Sequence, residues 1–203
     1  MIQGMYDFKS AYRKLNDLKS KVSCHYLISR EGKIYNLLCP KFKGWHAGIS
    51  EWKNLKNLND YSIGIELENK GHEHGYTDFT NNQYNGIKKL IKFLKFNFFI
   101  KDKDIVFHSD IAPNRKKDPG EKFLINKLGI KRFNFHQRKT TSIEELLKLY
   151  GFSNNYIKLF KDDCIKAVKR SLNYTTINSS ISPNFKNKFY NLLFDKKLYY
   201  KDG

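Results

Sequence analysis

Cysteine is scarce in this sequence, and no long apolar run is present. The three cysteines, Cys24, Cys39 and Cys164, show neither CxxC nor paired spacing, which disfavours a disulfide framework. The most apolar stretch, residues 94–100, is interrupted by a lysine and an asparagine. It is far shorter than the ~20 residues that a membrane-spanning helix needs. The sequence therefore predicts neither a disulfide-rich scaffold nor a transmembrane segment.

Acidic residues are also few, with 20 Asp and Glu against 38 Lys and Arg, for a formal net charge of +18. The excess is spread along the whole chain. It is compatible with a solvated lysine surface, and equally with a surface that meets a polyanion such as cell wall or nucleic acid. No helix-turn-helix, zinc-finger or RNP-type pattern accompanies the charge, so we expect no nucleic-acid partner.

Hydrophobic periodicity predicts an α/β fold, a mixed β-sheet flanked by helices. Apolar spacing in residues 7–19 and 81–97 indicates two amphipathic helices, with Thr80 as the N-cap of the second. β-prone runs indicate a hairpin over 22–39, a strand over 61–68 and a short strand over 105–107 that runs into His108.

The character of the chain changes near residue 140. Three short helical patterns follow, over residues 142–149, 161–172 and 183–194, separated by loops rich in Asn, Ser and Thr. We therefore predict a main domain over 1–138 and a small all-helical module over 141–203.

His108 and Asp118 are the first candidates for chemistry. Imidazole and carboxylate are both ordinary zinc ligands, and a strand end followed by a rigid loop can place both on one ion. The spacing by itself is also compatible with a hydrogen-bonded histidine and a turn-capping aspartate.

Three other residues have both a functional and a structural interpretation. Alternation along the strand places Glu66 opposite the isoleucines, where it is either an exposed strand residue or a catalytic carboxylate. Lys116 precedes Asp118 by two residues and either reaches an oxyanion or belongs to a solvated basic loop. His46 suits a sugar-lined groove or a packed core.

Four segments in the same order carry a family resemblance. They are residues 22–28 (VSCHYLI), 44–50 (GWHAGIS), 59–69 (NDYSIGIELEN) and 108–120 (HSDIAPNRKKDPG). Together they resemble the type 2 N-acetylmuramoyl-L-alanine amidases, and most closely their anhydro-muropeptide amidase branch. The resemblance spans roughly residues 4–135.

The resemblance implies a zinc enzyme that hydrolyses the amide between N-acetylmuramic acid, or its anhydro form, and L-alanine in peptidoglycan or muropeptides. His108 and Asp118 are then Zn2+ ligands, Glu66 is the catalytic base and Lys116 stabilises the tetrahedral intermediate. His25 and His46 fall on motif histidines that are not ligands. We take Trp45, His46 and Arg115 as candidates for substrate binding. The segment 141–203 resembles a helical peptidoglycan-binding module, and we expect a monomer.

One departure accompanies the resemblance. The family's third zinc ligand is a histidine on the first strand. The resemblance places Met1 at that position, so we expect the first strand to be missing from this sequence. Either the start lies upstream or a ligand is lost; His72 or His74 is a candidate substitute. The alternative function is therefore a catalytically impaired peptidoglycan-binding protein. An upstream start with a signal would favour the periplasm or cell envelope, and the sequence as written favours the cytoplasm.

Overall fold

The structure is a computed structural model that describes residues 7–133, 135 and 142–194 of the 203-residue chain. Met1, at the position of the third ligand, lies outside the described residues, so the expectation that the family's first strand is missing stays untested. The predicted boundary between 138 and 141 also lies outside them, and the assignment of a separate wall-binding module therefore stays a prediction.

The helices and strands follow the order expected of an α/β protein with a helical C-terminal part. In chain order they are α1 (Phe8–Asn16), β1 (Tyr26–Ile28), β2 (Ile34–Asn36), β3 (Glu51–Trp52), β4 (Leu55–Lys56), β5 (Ile65–Leu67), α2 (Asn81–Phe98), α3 (His108–Ile111), α4 (Ile143–Tyr150), α5 (Asn154–Ser171) and α6 (Pro183–Phe194).

The described chain divides into two compact units. The first contains residues up to 50 together with 56–99, and the second contains 51–55 together with 100 onwards.

A three-stranded mixed sheet organises the first unit, as the sequence predicts. Its order is β2-β1-β5, with β1 antiparallel to β2 and parallel to β5. Gly32 closes the β1–β2 turn with a φ of 80°. The backbone N–H of Gly32 donates to the Ser29 carbonyl at 2.9 Å. Glycine suits this position because its missing Cβ makes a left-handed conformation inexpensive.

Helices cover both faces of this sheet. Leu27 of β1 is buried in a cluster with Leu15 of α1 and Cys24. Ile28, the next residue along β1, points to the opposite face, because side chains alternate along a strand. On that face a Cβ added to Gly86 of α2 would lie 3.3 Å from the Ile28 side chain and 2.6 Å from the Gly32 carbonyl oxygen. The predicted α/β architecture is confirmed.

The N-terminus of α2 is capped as the sequence predicts. The Gln83 backbone N–H donates to the Thr80 hydroxyl, and the Thr80 backbone N–H donates to the Gln83 side chain, each at 3.1 Å. This reciprocal pair satisfies two of the backbone groups that a helix start leaves unpaired.

Helices α4, α5 and α6 lie in the second unit together with the β3–β4 hairpin. Trp52 of that hairpin is buried against Tyr150 and Phe152, with ring centroids 5.6 Å and 6.0 Å apart. The Lys53 backbone N–H also donates to the Gly151 carbonyl at 3.0 Å. The compact unit that contains the helical tail therefore starts well before residue 140.

A buried polar network lies at the centre of this unit. The carboxylate of Asp110 accepts hydrogen bonds from the Arg132 guanidinium and the Tyr150 hydroxyl, both at 2.5 Å. Burial would lower the pKa of Arg132, but the Asp110 charge outweighs that effect and raises it. Burial, reinforced by the same carboxylate, raises the pKa of Tyr150, so its hydroxyl stays protonated as a donor.

The strand predicted over residues 105–107 is wrong. Phe107 is extended, with φ −113° and ψ 160°, but the described three-stranded sheet does not include this segment. His108 is instead the first residue of the one-turn helix α3. A strand is stabilised by pairing with a neighbour, which local β-propensity cannot supply.

Two other differences concern helix ends. The first predicted helix stops at Asn16 because Asp17 is extended and its carboxylate accepts from the Lys19 N–H. The helix predicted from 161 begins at Asn154, after the N-cap Ser153, and bends at Phe160. Among the helices that the structure describes, none combines the length and apolarity needed to cross a membrane.

We expect the Tyr150→Phe variant to lose about 1–3 kcal/mol of unfolding free energy. The substitution removes a donor to a fully buried carboxylate and leaves Asp110 incompletely satisfied. Urea unfolding followed by circular dichroism measures the change. Tyr156→Phe, at a partly buried tyrosine in α5, is the matched control and should change stability by less than about 0.5 kcal/mol. If both variants lose the same unfolding free energy, the hydrogen bond from Tyr150 to Asp110 does not stabilise the protein as proposed.

Candidate active site

The first part of the site is the turn of helix α3. The Ala112 N–H donates to the His108 carbonyl at 2.9 Å, which closes this turn. The Phe107 N–H donates to the Asp110 carboxylate, also at 2.9 Å, and caps its start. The orientation of His108 is therefore set by a short helix whose cap belongs to the buried network.

The loop after α3 brings Asp118 back to His108. Both the Arg115 and Lys116 N–H groups donate to the Ala112 carbonyl, at 3.0 and 2.8 Å, which reverses the chain. The Ser109 N–H then donates to the Asp118 carbonyl at 3.0 Å. The following Asp118–Pro119 peptide bond is cis.

The side chains of His108 and Asp118 meet as expected. His108 Nδ1 is in direct contact with Asp118 Oδ2, and the two side chains are only 12% and 2% exposed. The contact satisfies the requirement that both groups reach one point. It also matches the simpler interpretation of a hydrogen-bonded pair, so the ligand roles stay predictions.

The electrostatic environment favours an ionised carboxylate. Burial alone would raise the pKa of Asp118, but interactions that include the contact with His108 and the charge of Lys116 hold it well below its usual range. Lys116 is partly buried in the same loop. Helix α3 and the loop after it thus bring together a buried carboxylate (Asp118), an imidazole (His108) and an ammonium group (Lys116) in the second unit.

The donor types in this loop fit zinc, which binds imidazole nitrogen and carboxylate oxygen. A catalytic zinc site normally has three protein ligands. Within residues 7–133, 135 and 142–194, no group of three His, Cys, Asp or Glu side chains is placed to hold a metal ion. In this part of the chain neither His72 nor His74 joins His108 and Asp118 in such a group, and the roles of the pair as zinc ligands stay predictions.

Glu66 lies in the first unit, at the centre of β5. It is paired in register with Leu27 of β1 and is only 5% exposed. It shares the α1 face of the sheet with Leu27, opposite Ile65 and Leu67, as the alternation predicts. The interpretation of Glu66 as an exposed strand residue is therefore wrong. Burial in the sheet is compatible with a catalytic role for Glu66, which stays a prediction.

His25 is a fully engaged structural histidine. Its Nδ1 accepts from the Gly64 N–H, and its Nε2 faces the Phe42 carbonyl, each at 2.9 Å. A nitrogen that accepts an N–H carries no proton, so Nε2 must be the protonated atom and the ring is neutral. His25 thus connects the loop around Phe42 to the residue two positions before Glu66.

His46 packs on the same glycine. A Cβ added to Gly64 would lie 2.3 Å from His46 Cγ, and the His46 ring meets the His25 ring edge-on with centroids 5.4 Å apart. The backbone N–H groups of His46 and Ala47 both donate to the Asn59 side chain, at 3.0 and 2.7 Å. The His46 ring therefore lies directly against the backbone at Gly64, where a side chain would collide with it.

The remaining candidates for substrate binding are exposed. Trp45 is 57% exposed, and its ring lies 5.0 Å from the Lys43 ammonium. Its backbone exchanges hydrogen bonds with Ser23, through the Ser23 hydroxyl at 2.9 Å and the Ser23 N–H at 3.1 Å. Arg115 is exposed on the loop of the second unit. The structure thus places Trp45, His46 and Glu66 in the first unit, and His108, Lys116, Asp118 and Arg115 in the second.

Sequence reasoning missed two residues that organise these groups. Asp110 lies inside the 108–120 segment, and its burial could not be read from a polar motif. Asn59 opens the 59–69 segment and looks like an ordinary loop residue. Their importance is visible only in the structure, where each side chain accepts a hydrogen bond from a backbone N–H group.

Comparison with known proteins identifies the same regions. The sequence profile described as N-acetylmuramoyl-L-alanine amidase matches residues 3–121. N-acetylmuramoyl-L-alanine amidase AmiD of Escherichia coli is 35% identical over 175 residues, which cover 72% of this chain and 63% of AmiD. The 1,6-anhydro-N-acetylmuramyl-L-alanine amidase AmpD of Haemophilus influenzae is 38% identical over 104 residues, covering 51% of this chain and 54% of AmpD. The matches thus span less than two thirds of each of these relatives.

Solved structures extend the similarity to the helical tail. The E. coli AmiD complex with the substrate anhydro-N-acetylmuramic acid-L-Ala-D-gamma-Glu-L-Lys superimposes with a TM-score of 0.78 at 29% identity, covering 94% of this chain and 85% of that one. AmpDh3 of Pseudomonas aeruginosa, in complex with an anhydromuramic pentapeptide, also gives a TM-score of 0.78, covering 94% of this chain and 88% of that one. At 24% identity, this second likeness concerns the fold alone.

We expect Gly64→Ala to destabilise the protein by about 1–3 kcal/mol, because the new methyl group overlaps the His46 ring. In a His46→Ala background the ring is gone, so the same substitution should cost much less. Thermal and urea unfolding of the two single variants and the double variant measure this coupling. Strictly additive effects would contradict the assigned contact.

Proposed function

Because this chain belongs to the N-acetylmuramoyl-L-alanine amidase family, we propose that it hydrolyses the amide bond between N-acetylmuramic acid, or its anhydro form, and the L-alanine of a stem peptide. The observation that carries the proposal is the contact between His108 and the buried Asp118, beside Lys116, in the 108–120 segment. The substrate named for E. coli AmiD, an anhydro-muramyl tripeptide, indicates which substrate to test first.

The proposed metal is Zn2+, with His108 and Asp118 as two of its ligands. The support is the donor chemistry of the pair and the ionised state of the carboxylate, since a ligating carboxylate must be deprotonated. Zinc, when bound, supplies a Lewis acid that activates water and polarises the scissile carbonyl.

In this proposal, side chains of the protein transfer the proton and stabilise the negative charge that develops on the carbonyl oxygen. We assign Glu66 as the base that removes a proton from the attacking water and passes it to the amine nitrogen as the carbon–nitrogen bond breaks. Burial supports this role, because a carboxylate with little water around it interacts strongly with a nearby proton donor. Lys116 would stabilise the oxyanion with its positive charge.

Substrate binding is assigned to Trp45, His46 and Arg115. The exposed indole of Trp45 offers an apolar face for a sugar ring, and Arg115 offers a cation for a carboxylate of the peptide. His46 is held by Asn59 and by packing on Gly64, so its ring is preorganised.

A second candidate function is peptidoglycan binding without efficient catalysis. The observation that favours it is that the described residues bring only two zinc donors together. Zinc content separates the two functions, because an impaired protein would retain binding to muropeptide while holding little metal.

We expect Glu66→Gln to lower the rate of stem-peptide release by roughly 10²-fold or more, the usual scale for a positioned general base. The change keeps size and polarity but removes the base. The assay follows release of the tripeptide from anhydro-muramyl tripeptide by liquid chromatography and mass spectrometry. Glu68→Gln is the matched control on the same strand segment and should retain most activity. A near-normal rate for Glu66→Gln would exclude Glu66 as the base.

We expect His108→Ala and Asp118→Asn each to weaken zinc binding by more than the ~10–100-fold typical of residues that only support a ligand. Competition with a chromogenic chelator measures the affinity, and the same samples are assayed for hydrolysis. His72→Ala and His74→Ala serve as controls outside the paired loop. If these two controls lose zinc while His108→Ala retains it, the assignment of the pair is wrong. Weak binding by the unaltered chain, with muropeptide still bound, would favour the second function.

A further inference from the structure

Helix α2 presents three phenylalanines to solvent near its C-terminal end. Phe93 is 52% exposed, Phe96 is 82% exposed, and Phe99, the C-cap, is 87% exposed. Single exposed apolar residues are common, but these three are neighbours at i, i+3 and i+6. They form one apolar patch rather than scattered side chains.

The patch lies on the side of α2 opposite the core. The helix buries Tyr84, Ile87, Leu90, Ile91 and Leu94 in the first unit. At 100° per residue, the exposed Phe96 lies close to the direction opposite the centre of this set. Packing against the sheet therefore does not account for an aromatic residue at this position.

The backbone at Phe99 supplies a second, independent observation. Phe99 adopts the left-handed conformation, with φ 54° and ψ 28°. Helices commonly end with a left-handed residue, but glycine or asparagine is the usual choice, since a bulky side chain is disfavoured there. An aromatic residue at this position neither fills the core nor eases the turn.

Lysines surround the three rings. Exposed Lys88, Lys89 and Lys92 precede them on the helix, and Lys95 is interleaved with them. Lys89 is one helical step of four residues from Phe93, and Lys92 stands in the same relation to Phe96. The sequence between Phe79 and Lys101 contains no acidic residue. The face of α2 is thus both aromatic and uniformly cationic.

We propose that this face, formed by Lys89, Lys92, Phe93, Phe96 and Phe99, docks on the surface of an anionic lipid bilayer. Aromatic side chains enter the boundary between headgroups and acyl chains, while lysines remain with the anionic headgroups. Together the two contributions give reversible peripheral binding without a spanning segment.

The chemistry favours a bilayer over a protein or a nucleic acid. A specific protein interface usually buries more than ~1,000 Å² in total, which exceeds what a few side chains on one helix provide. Base recognition relies on hydrogen-bonding side chains such as arginine, asparagine and glutamine, whereas the five residues of this face are only lysine and phenylalanine.

The test is sedimentation of the full 203-residue chain with vesicles, either phosphatidylethanolamine and phosphatidylglycerol at 3:1 or phosphatidylcholine alone. We expect binding to the anionic vesicles that weakens in 0.5 M salt, and little binding to the neutral ones. The triple variant Phe93→Ser, Phe96→Ser, Phe99→Ser should weaken binding by roughly ten-fold or more. Lys89→Gln with Lys92→Gln should weaken it by about five-fold per lysine.

Matched controls distinguish vesicle binding by this face from nonspecific binding through other exposed apolar or charged residues. Leu18→Ser with Leu159→Ser removes two exposed apolar side chains that are not part of α2, and Lys148→Gln with Lys158→Gln removes two exposed lysines of the second unit. Both control variants should bind like the unaltered chain. If they weaken binding as much as the α2 variants do, or if neutral vesicles bind equally well, the proposal is wrong.

A second measurement tests the proposal if the serine variants fail to fold. Phe96→Trp places an indole in the centre of the face, and Leu18→Trp places one far along the chain. Brominated lipids should quench the added fluorescence of the first variant and not of the second. Equal quenching, or none, overturns the proposal. Light scattering tests the other occupant: if the unaltered chain is a dimer that the triple Phe→Ser variant dissociates, the face binds a second copy instead.

Discussion

The carboxylate of Asp110 is the group on which much of the second unit depends. It is fully buried and accepts hydrogen bonds from the Phe107 backbone, the Arg132 guanidinium and the Tyr150 hydroxyl. An isolated buried carboxylate would be strongly unfavourable, so each of these donors is required by the presence of the charge. The first donor starts the helical turn that carries His108, and the last belongs to a helix of the C-terminal tail.

This arrangement explains why the tail and the turn that carries His108 share one compact unit. Tyr150 also contacts Ser171 of α5 at 2.6 Å, and Arg132 lies over the Phe107 ring, 4.8 Å from its centroid. Two side chains, those of Tyr150 and Asp110, thus connect Ser171 of α5 to the backbone N–H of the residue before His108. A role for the tail in binding cell wall is compatible with this packing, but the tail is also part of the structure that supports the turn.

The first unit uses a neutral histidine for a comparable purpose. Both ring nitrogens of His25 are occupied by backbone groups, so the residue is unsuited to ligating a metal or moving a proton in this conformation. Its bond to Gly64 reaches the strand of Glu66, and Gly64 in turn accommodates the His46 ring. The motif histidines therefore position the groups around the proposed base, and their status as non-ligands stays a prediction.

Local features of the structure were predictable because their causes are local. The N-cap at Thr80, the hairpin over residues 22–39 and the amphipathic helices depend on residues a few positions apart, and all were observed. The strand at 105–107 was wrong because pairing depends on a distant partner. The convergence of His108 and Asp118 was nevertheless expected correctly, since a short constrained loop brings its ends together in either case.

The sequence by itself determined the family, the α/β class and the pairing of His108 with Asp118, because these depend on segment order and on short-range spacing. Tertiary structure decided what each polar residue contacts. Packing of the chain buries Glu66. It also places the His25 ring between two backbone groups that hydrogen-bond its neutral form, and it makes the Asp110 carboxylate the common acceptor of several donors. Burial and long-range hydrogen bonds are properties of the packed chain, and residues with the same side chain acquire different chemistry according to what surrounds them.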